Sequence, residues 1–230
     1  MARKAPRRTA ERILEAALDL FNRLGEPNVS TTAIAAHLGI SPGNLYYHYP
    51  AKEEIVNALS QRHAQDLREQ LQAAGEARDV AAACTFVQAL LQHLWEHRFV
   101  YRDINDLMSR NRALEDLLPH LLHEIRQALV RMLRALQGAG VLEIDAPAID
   151  PTVTNMLVVL TYWASFEFVQ DPRGAQDPRE LADALRRGAG QVLHALAPYL
   201  QVDSRKQLPA MPPPRAKTAA AGPCGEAPQG

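Results

Sequence analysis

A chain of 230 residues suits one large domain or two small ones, and an apolar share of 47% is ample for a core. The net charge of −1 excludes a bulk electrostatic attraction to nucleic acid, so any positive charge that meets DNA must be placed locally. Two cysteines, Cys84 in an alanine-rich apolar stretch and Cys224 in a proline-rich tail, argue against a disulfide and for a reducing compartment.

No apolar run approaches the length of a membrane span, and the N-terminus lacks the apolar core of a signal peptide. A cytoplasmic protein with no membrane contact is expected. Residues 1–8 form a basic arm: Arg3, Lys4, Arg7 and Arg8 with no acid among them. Such an arm suits phosphate or minor-groove contact, and a solvated terminus has the same composition. Residues 9–24 read as a helix, with Ile13, Leu14, Ala17, Leu18, Phe21 and Leu24 at steps of three and four. Gly25 ends it, and a loop containing Pro27 follows.

Residues 31–52, TTAIAAHLGISPGNLYYHYPAK, read as a short helix, a tight turn, a second short helix and the start of a third. That is a helix-turn-helix, a unit that lays one helix in the major groove. Ser30 caps the first helix, Gly39 suits its left-handed end, Ser41 caps the second and Pro42 fits that helix's first position. Leu45 and Tyr49 face inward, which leaves Asn44, Tyr47 and His48 on other faces and Tyr46 near the boundary. A longer helix over 51–73 begins with Lys52, Glu53 and Glu54. The acids suit a helix start, and the lysine implies a nearby anion, read here as DNA phosphate.

Further helices are expected over 79–95, 100–110, 113–137, 151–170 and 178–199, with Pro119 breaking or kinking the third of these. No alternating strand pattern and no repeat appears. Helix 151–170 is apolar on nearly every face, so it should lie between the core and a partner subunit. Gly188, Ala189 and Gly190 on the last helix would let another backbone come close. Residues 203–230 are rich in proline and alanine and read as a disordered tail. His93 and His97 stand four apart, and His120, His123 and Glu124 cluster, spacings that zinc ligands use. No cysteine joins either group, so no metal and no cofactor is assigned. No glycine-rich phosphate loop, HExxH or GxSxG is present, and no enzyme is expected.

The pieces ILEAALDLFNRLGEPNVSTTAIAAHLGIS and GNLYYHYPAKEEI fall within residues 9–55, 47 of the 230. This span resembles the DNA-binding domain of the TetR family of bacterial transcriptional regulators. The resemblance implies an all-α fold. An N-terminal three-helix domain over 9–56 would precede a larger helical regulatory and dimerisation domain over 57–202. It implies a homodimer, joined through the last two long helices, that represses transcription from a pseudo-palindromic operator on double-stranded DNA. A small, largely apolar effector would release it. The DNA-contact set implied is Ser30, Thr31, Ser41, Pro42, Gly43, Asn44, Tyr46, Tyr47, His48 and Lys52, with Gly43, Asn44 and Tyr47 reading bases. Pro42 stands where many members carry lysine. Candidates for the effector site are Trp95, Phe99, Tyr101, Asn105 and Met108 in the middle helices, with Asn155, Tyr162, Trp163 and Phe166 on the apolar helix. The alternative is a DNA-binding protein that senses no small molecule and is controlled by a protein partner.

Overall fold

The computed structural model describes residues 6–209 apart from 173, 175 and 176, and among them every regular element is helical. Arg3, Lys4, Cys224 and the tail from residue 210 onward lie outside the described residues. Helix α1 spans Pro6–Leu24, starting earlier than its apolar stripe because proline suits a first helical turn. Its inner face is Ile13, Ala17, Leu20 and Phe21. Leu24, expected on that face, is 53% exposed, because the chain turns away at Gly25 (φ 87°) into a 3-10 turn, Glu26–Asn28.

Helices α2 (Thr31–Leu38) and α3 (Pro42–His48) follow, then α4 (Lys52–Leu71). Phe21, Ile34, Leu45 and Ile55 are fully buried and give these four helices one small core. Helix α4 runs on into the second domain, where Leu59, Leu67 and Leu71 are buried, and ends in a 3-10 turn, Gln72–Glu76.

Helix α5 spans Val80–Glu96. The single helix expected next is two, α6 (Arg98–Arg102) and α7 (Ile104–Arg110), with breaks at His97 and Asp103. Helix α8 (Arg112–Gly138) runs through Pro119 without the expected break. Helix α9 begins at Ala146, so Pro151 lies inside it instead of opening it; the helix runs to Gln170. Pro147 at its start forfeits no bond, and Pro151 forfeits one. Helix α10 spans Pro178–His194 and α11 Val202–Arg205, so the tail's first residues are helical. An isolated antiparallel bridge, Leu142 to Leu200, ties the end of α8 to the C-terminal segment.

Helix α5 packs on α4, α9 and α10, and α8 packs on α4, α7 and α9. By length and composition α9 is apolar enough to cross a membrane, with a mean hydropathy of 1.2. One face of α9 lies against protein through Val153, Met156, Leu160 and Trp163, and its buried Glu167 pairs with Arg187 at 2.7 Å. The other carries Val158, Tyr162, Phe166 and Val169, all at least 41% exposed.

The small residues of α10 are spent inside the chain, against expectation. A Cβ on Gly188 would lie 2.4 Å from Leu91 Cδ2 and 2.6 Å from Trp163 Nε1. The Trp163 indole donates to Ala184 O at 2.8 Å, so α9 and α10 are locked at this point.

Candidate nucleic-acid interface

Two serines set the geometry of the helix pair. Ser30 Oγ accepts from the Ala33 N–H at 3.1 Å, and Ser41 Oγ accepts from the Asn44 N–H at 3.2 Å. Between them Gly39 sits at φ 65°, ψ 33°, the left-handed conformation that ends α2 with little strain. Leu45 is fully buried and Tyr49 half-buried, so α3 is held from below.

Ser41, Pro42, Gly43 and Asn44 are exposed at the start of α3. Tyr47 is 78% exposed, and its ring meets the His48 ring edge-on, 5.2 Å between centroids. A tyrosine so far from the core gains nothing by burial, and it projects from the helix that the motif offers to a groove. Tyr46 differs. Its hydroxyl lies 3.1 Å from Thr31 Oγ1, which ties α3 to the start of α2 beside a recess bounded by Ser30 and Lys52. Ser30, Thr31, Tyr46 and Lys52 thereby border one recess.

Lys52 reaches an anion, but the anion belongs to the protein. Its Nζ lies 2.9 Å from Glu26 Oε1 and donates to Glu26 O at 3.1 Å. Glu26 is 1% exposed and is held on its other oxygen by Arg110 of α7. The ammonium read as free for phosphate is therefore occupied inside the fold. Glu26, Arg110 and Asn22 carry no local sequence signal and were not anticipated. The Asn22 amide donates to Glu96 O at 2.7 Å, and its oxygen accepts from the Phe99 N–H at 3.1 Å. Arg102 donates to Phe21 O at 3.2 Å, and the Phe21 and Phe99 rings lie 5.4 Å apart. Helix α1 and the turn after it are thus pinned to α6 and α7 by polar contacts around an aromatic pair.

Family models match both parts of the chain: "Bacterial regulatory proteins, tetR family" over residues 13–59, and "Bacterial transcriptional repressor" over residues 62–208. The chain belongs to the TetR family of bacterial transcriptional regulators. It is similar to the HTH-type transcriptional regulator UidR of Escherichia coli, 27% identical over 162 residues, which span 67% of this chain and 78% of UidR. Among solved structures, a TetR-family regulator from Marinobacter aquaeolei is 29% identical, with a TM-score of 0.77 over 87% of this chain and 95% of that one. A SmeT–triclosan complex shares the fold at 21% identity and a TM-score of 0.60, over 91% of this chain and 100% of that one.

The residues expected to line an effector site fall into different environments in this TetR-family chain, although the Trp163 and Phe166 rings lie 5.3 Å apart. Trp95, Phe99 and Tyr101 are core side chains, each at most 6% exposed. Asn105 is exposed and Met108 half-buried. Trp163 is packed on α10, whereas Asn155, Tyr162 and Phe166 lie on outward positions of α9. The acids and arginine beside them make internal links: Arg102 to Asp103 at 3.5 Å and Asp106 to Arg110 at 2.8 Å. His120 and His123 are exposed, and Glu124 is taken by Arg68 at 2.8 Å.

His93 and His97 do meet, and they meet a third histidine that the sequence reading passed over. His63 stands on α4 in the same four-residue phase as Leu59 and Leu67, the signal by which it could have been found. All three imidazoles are buried, and Tyr101 closes the group. Burial, then the neighbouring His97 and His93, holds His63 well below the usual histidine range. Burial likewise brings His97 down to about 4 and pushes the Tyr101 phenol up.

Proposed function

We propose that this TetR-family regulator is a dimeric repressor that acts on chromosomal DNA in the cytoplasm. Two copies of α3 would meet successive major grooves of a pseudo-palindromic operator. The observation that carries the DNA reading is the outward Gly43–Asn44–Tyr47 surface of a helix whose other side is fully buried. Gly43 has open space around the position of a missing Cβ, so a groove wall can come close to its backbone. Asn44 offers both partners of an adenine edge. Ser30, Thr31, Ser41, Tyr46 and His48 supply phosphate contacts around this centre, and Pro42 starts the helix. Lys52 holds the start of α4 to Glu26.

The apolar outward stripe of α9 supports the dimer. An exposed line of Val158, Tyr162, Phe166 and Val169 is costly to leave in water and fits a second copy of itself about a two-fold axis. Helix α10, whose small residues face inward, flanks this contact. Proteins of this fold hold triclosan in one case and choline in another, so the architecture admits small molecules. An apolar effector would have to part the packed aromatics Trp95, Phe99 and Tyr101, and this motion would act on the Phe21 and Asn22 contacts that hold α1.

Asn44→Ala should weaken binding to the selected operator by about 1–3 kcal/mol, and Tyr47→Ala should weaken it too, with an unchanged circular dichroism spectrum. Gel shifts on genomic fragments measure this. Full affinity in both variants would remove α3 from the interface.

A further inference from the structure

We propose that His63, His93 and His97 form a binding site for one divalent transition-metal ion of the zinc type, with Tyr101 as a positioning residue. One ring nitrogen from each histidine lies within 4.8 Å of the other two. His63 Nδ1 and His93 Nε2 are 3.0 Å apart. Two ligands on a tetrahedral ion with bonds of roughly 2.0–2.1 Å stand about 3.3 Å apart, so this pair is already near its spacing. The widest separation must close by about 1.5 Å, a movement of side chains on adjoining helices.

Two of the three remaining nitrogens are hydrogen-bonded as a metal site requires. His63 Nε2 is 2.7 Å from the Tyr101 hydroxyl, and His97 Nδ1 donates to His93 O at 3.3 Å. Those bonds leave His63 Nδ1 and His97 Nε2 as lone pairs and fix both rings, the arrangement seen around metal-bound imidazoles. His93 Nε2 lies 3.1 Å from His63 O, and metal binding would exchange the proton on that nitrogen for the ion.

An entry path is present. His93 and His97 border an open cleft of about 510 Å³ between α1, α4 and α5. Of the five carboxylates that line it, Asp19, Asp66 and Asp177 pair with Arg23, Arg62 and Arg179, and Glu15 and Glu96 complete the set. Three nitrogens without thiolate favour zinc, cobalt, nickel or copper over magnesium or calcium.

The ion would join α4 to the α5–α6 break. His97 lies between Glu96 and Phe99, the two residues that Asn22 of α1 grips. Drawing the three rings together therefore acts on both helices that carry the DNA-binding domain. This regulatory part rests on the repressor reading above, whereas the site itself does not.

The test uses the full chain, stripped of metal by a chelator and then dialysed. Titration with Co²⁺ should give visible ligand-field bands that saturate at one ion per chain, and Zn²⁺ should displace them. His97→Gln and His63→Gln should each abolish the bands, and Tyr101→Phe should lower the affinity by about 10–100-fold. His120→Gln/His123→Gln should bind as the wild type does. Circular dichroism identifies variants that fail to fold, and Tyr101→Phe preserves the packing. Absent bands, or bands that survive His63→Gln and His97→Gln, would overturn the site. Operator affinity measured with chelator and with Zn²⁺ should differ by about 5–150-fold, and equal affinities would overturn the regulatory part. A chain that binds Co²⁺ yet ignores DNA in both states would defeat the repressor reading and leave the site standing.

Discussion

At the scale of single residues, the buried Glu26 carboxylate sets the role of Lys52. Two cations hold it, and the lysine is one of them. Lys52→Met should cost about 1–3 kcal/mol of stability, seen as a lower Tm. The slope of log operator affinity against log salt should stay as it is, whereas a lost phosphate contact would reduce it by about 0.9. The histidine cluster gives a pH signature with a definite sign. His63 and His97 are held neutral by burial, so the unfolded chain takes up protons that the folded one refuses. This destabilisation is absent above the unfolded value of about 6.5 and grows as pH falls, by about 1.4 kcal/mol per pH unit for each group. It stops growing for His97 at about 4 and for His63 below the usual range. With chelator present, Tm should therefore fall below about pH 6.5, and His97→Gln should fall less steeply. An equal slope in both would contradict the burial argument.

At the scale of elements, the meeting of α5, α9 and α10 depends on one missing side chain. Gly188→Ala forces a methyl into Leu91 and the Trp163 indole that donates to Ala184. A cost of about 1–3 kcal/mol is expected in chemical denaturation, and Gly190→Ala would serve as comparison. Features that depend on a few neighbouring residues were legible in the sequence. Ser30, Gly39, Ser41 and Pro42 mark the ends of α2 and α3 within a single turn each, and Leu45 marks the buried face. What lay beyond reach was non-local. Glu26 meets Arg110 across 84 residues, and His63 meets His93 across 30. No propensity or spacing encodes such pairs. The break at Asp103 went unread because Val100, Ile104 and Leu107 continue in phase on both sides of it. Helix α9 shows the opposite difficulty. An all-round apolar pattern is real there, yet it cannot say which face meets the core and which meets a partner. The aromatics proposed as an effector site divide along that line.

At the scale of the whole molecule, the proposed dimer rests on the exposed stripe of α9. A charge in the centre of its exposed stripe should split a dimer, and replacing Phe166, whose ring lies 5.3 Å from that of the buried Trp163, is also expected to cost some stability. Phe166→Glu and Tyr162→Glu are expected to sediment as monomers at concentrations where the wild-type chain is a dimer, with helicity unchanged. These monomers should also lose operator affinity, because each would engage only half a site. The most direct measurement is a hydroxyl-radical footprint of the wild-type chain on the genomic fragment it selects. Two protected half-sites about one helical turn or a multiple of it apart, placed symmetrically about a dyad, are predicted. A single asymmetric patch, or no protection by a folded chain, would contradict the paired-helix account.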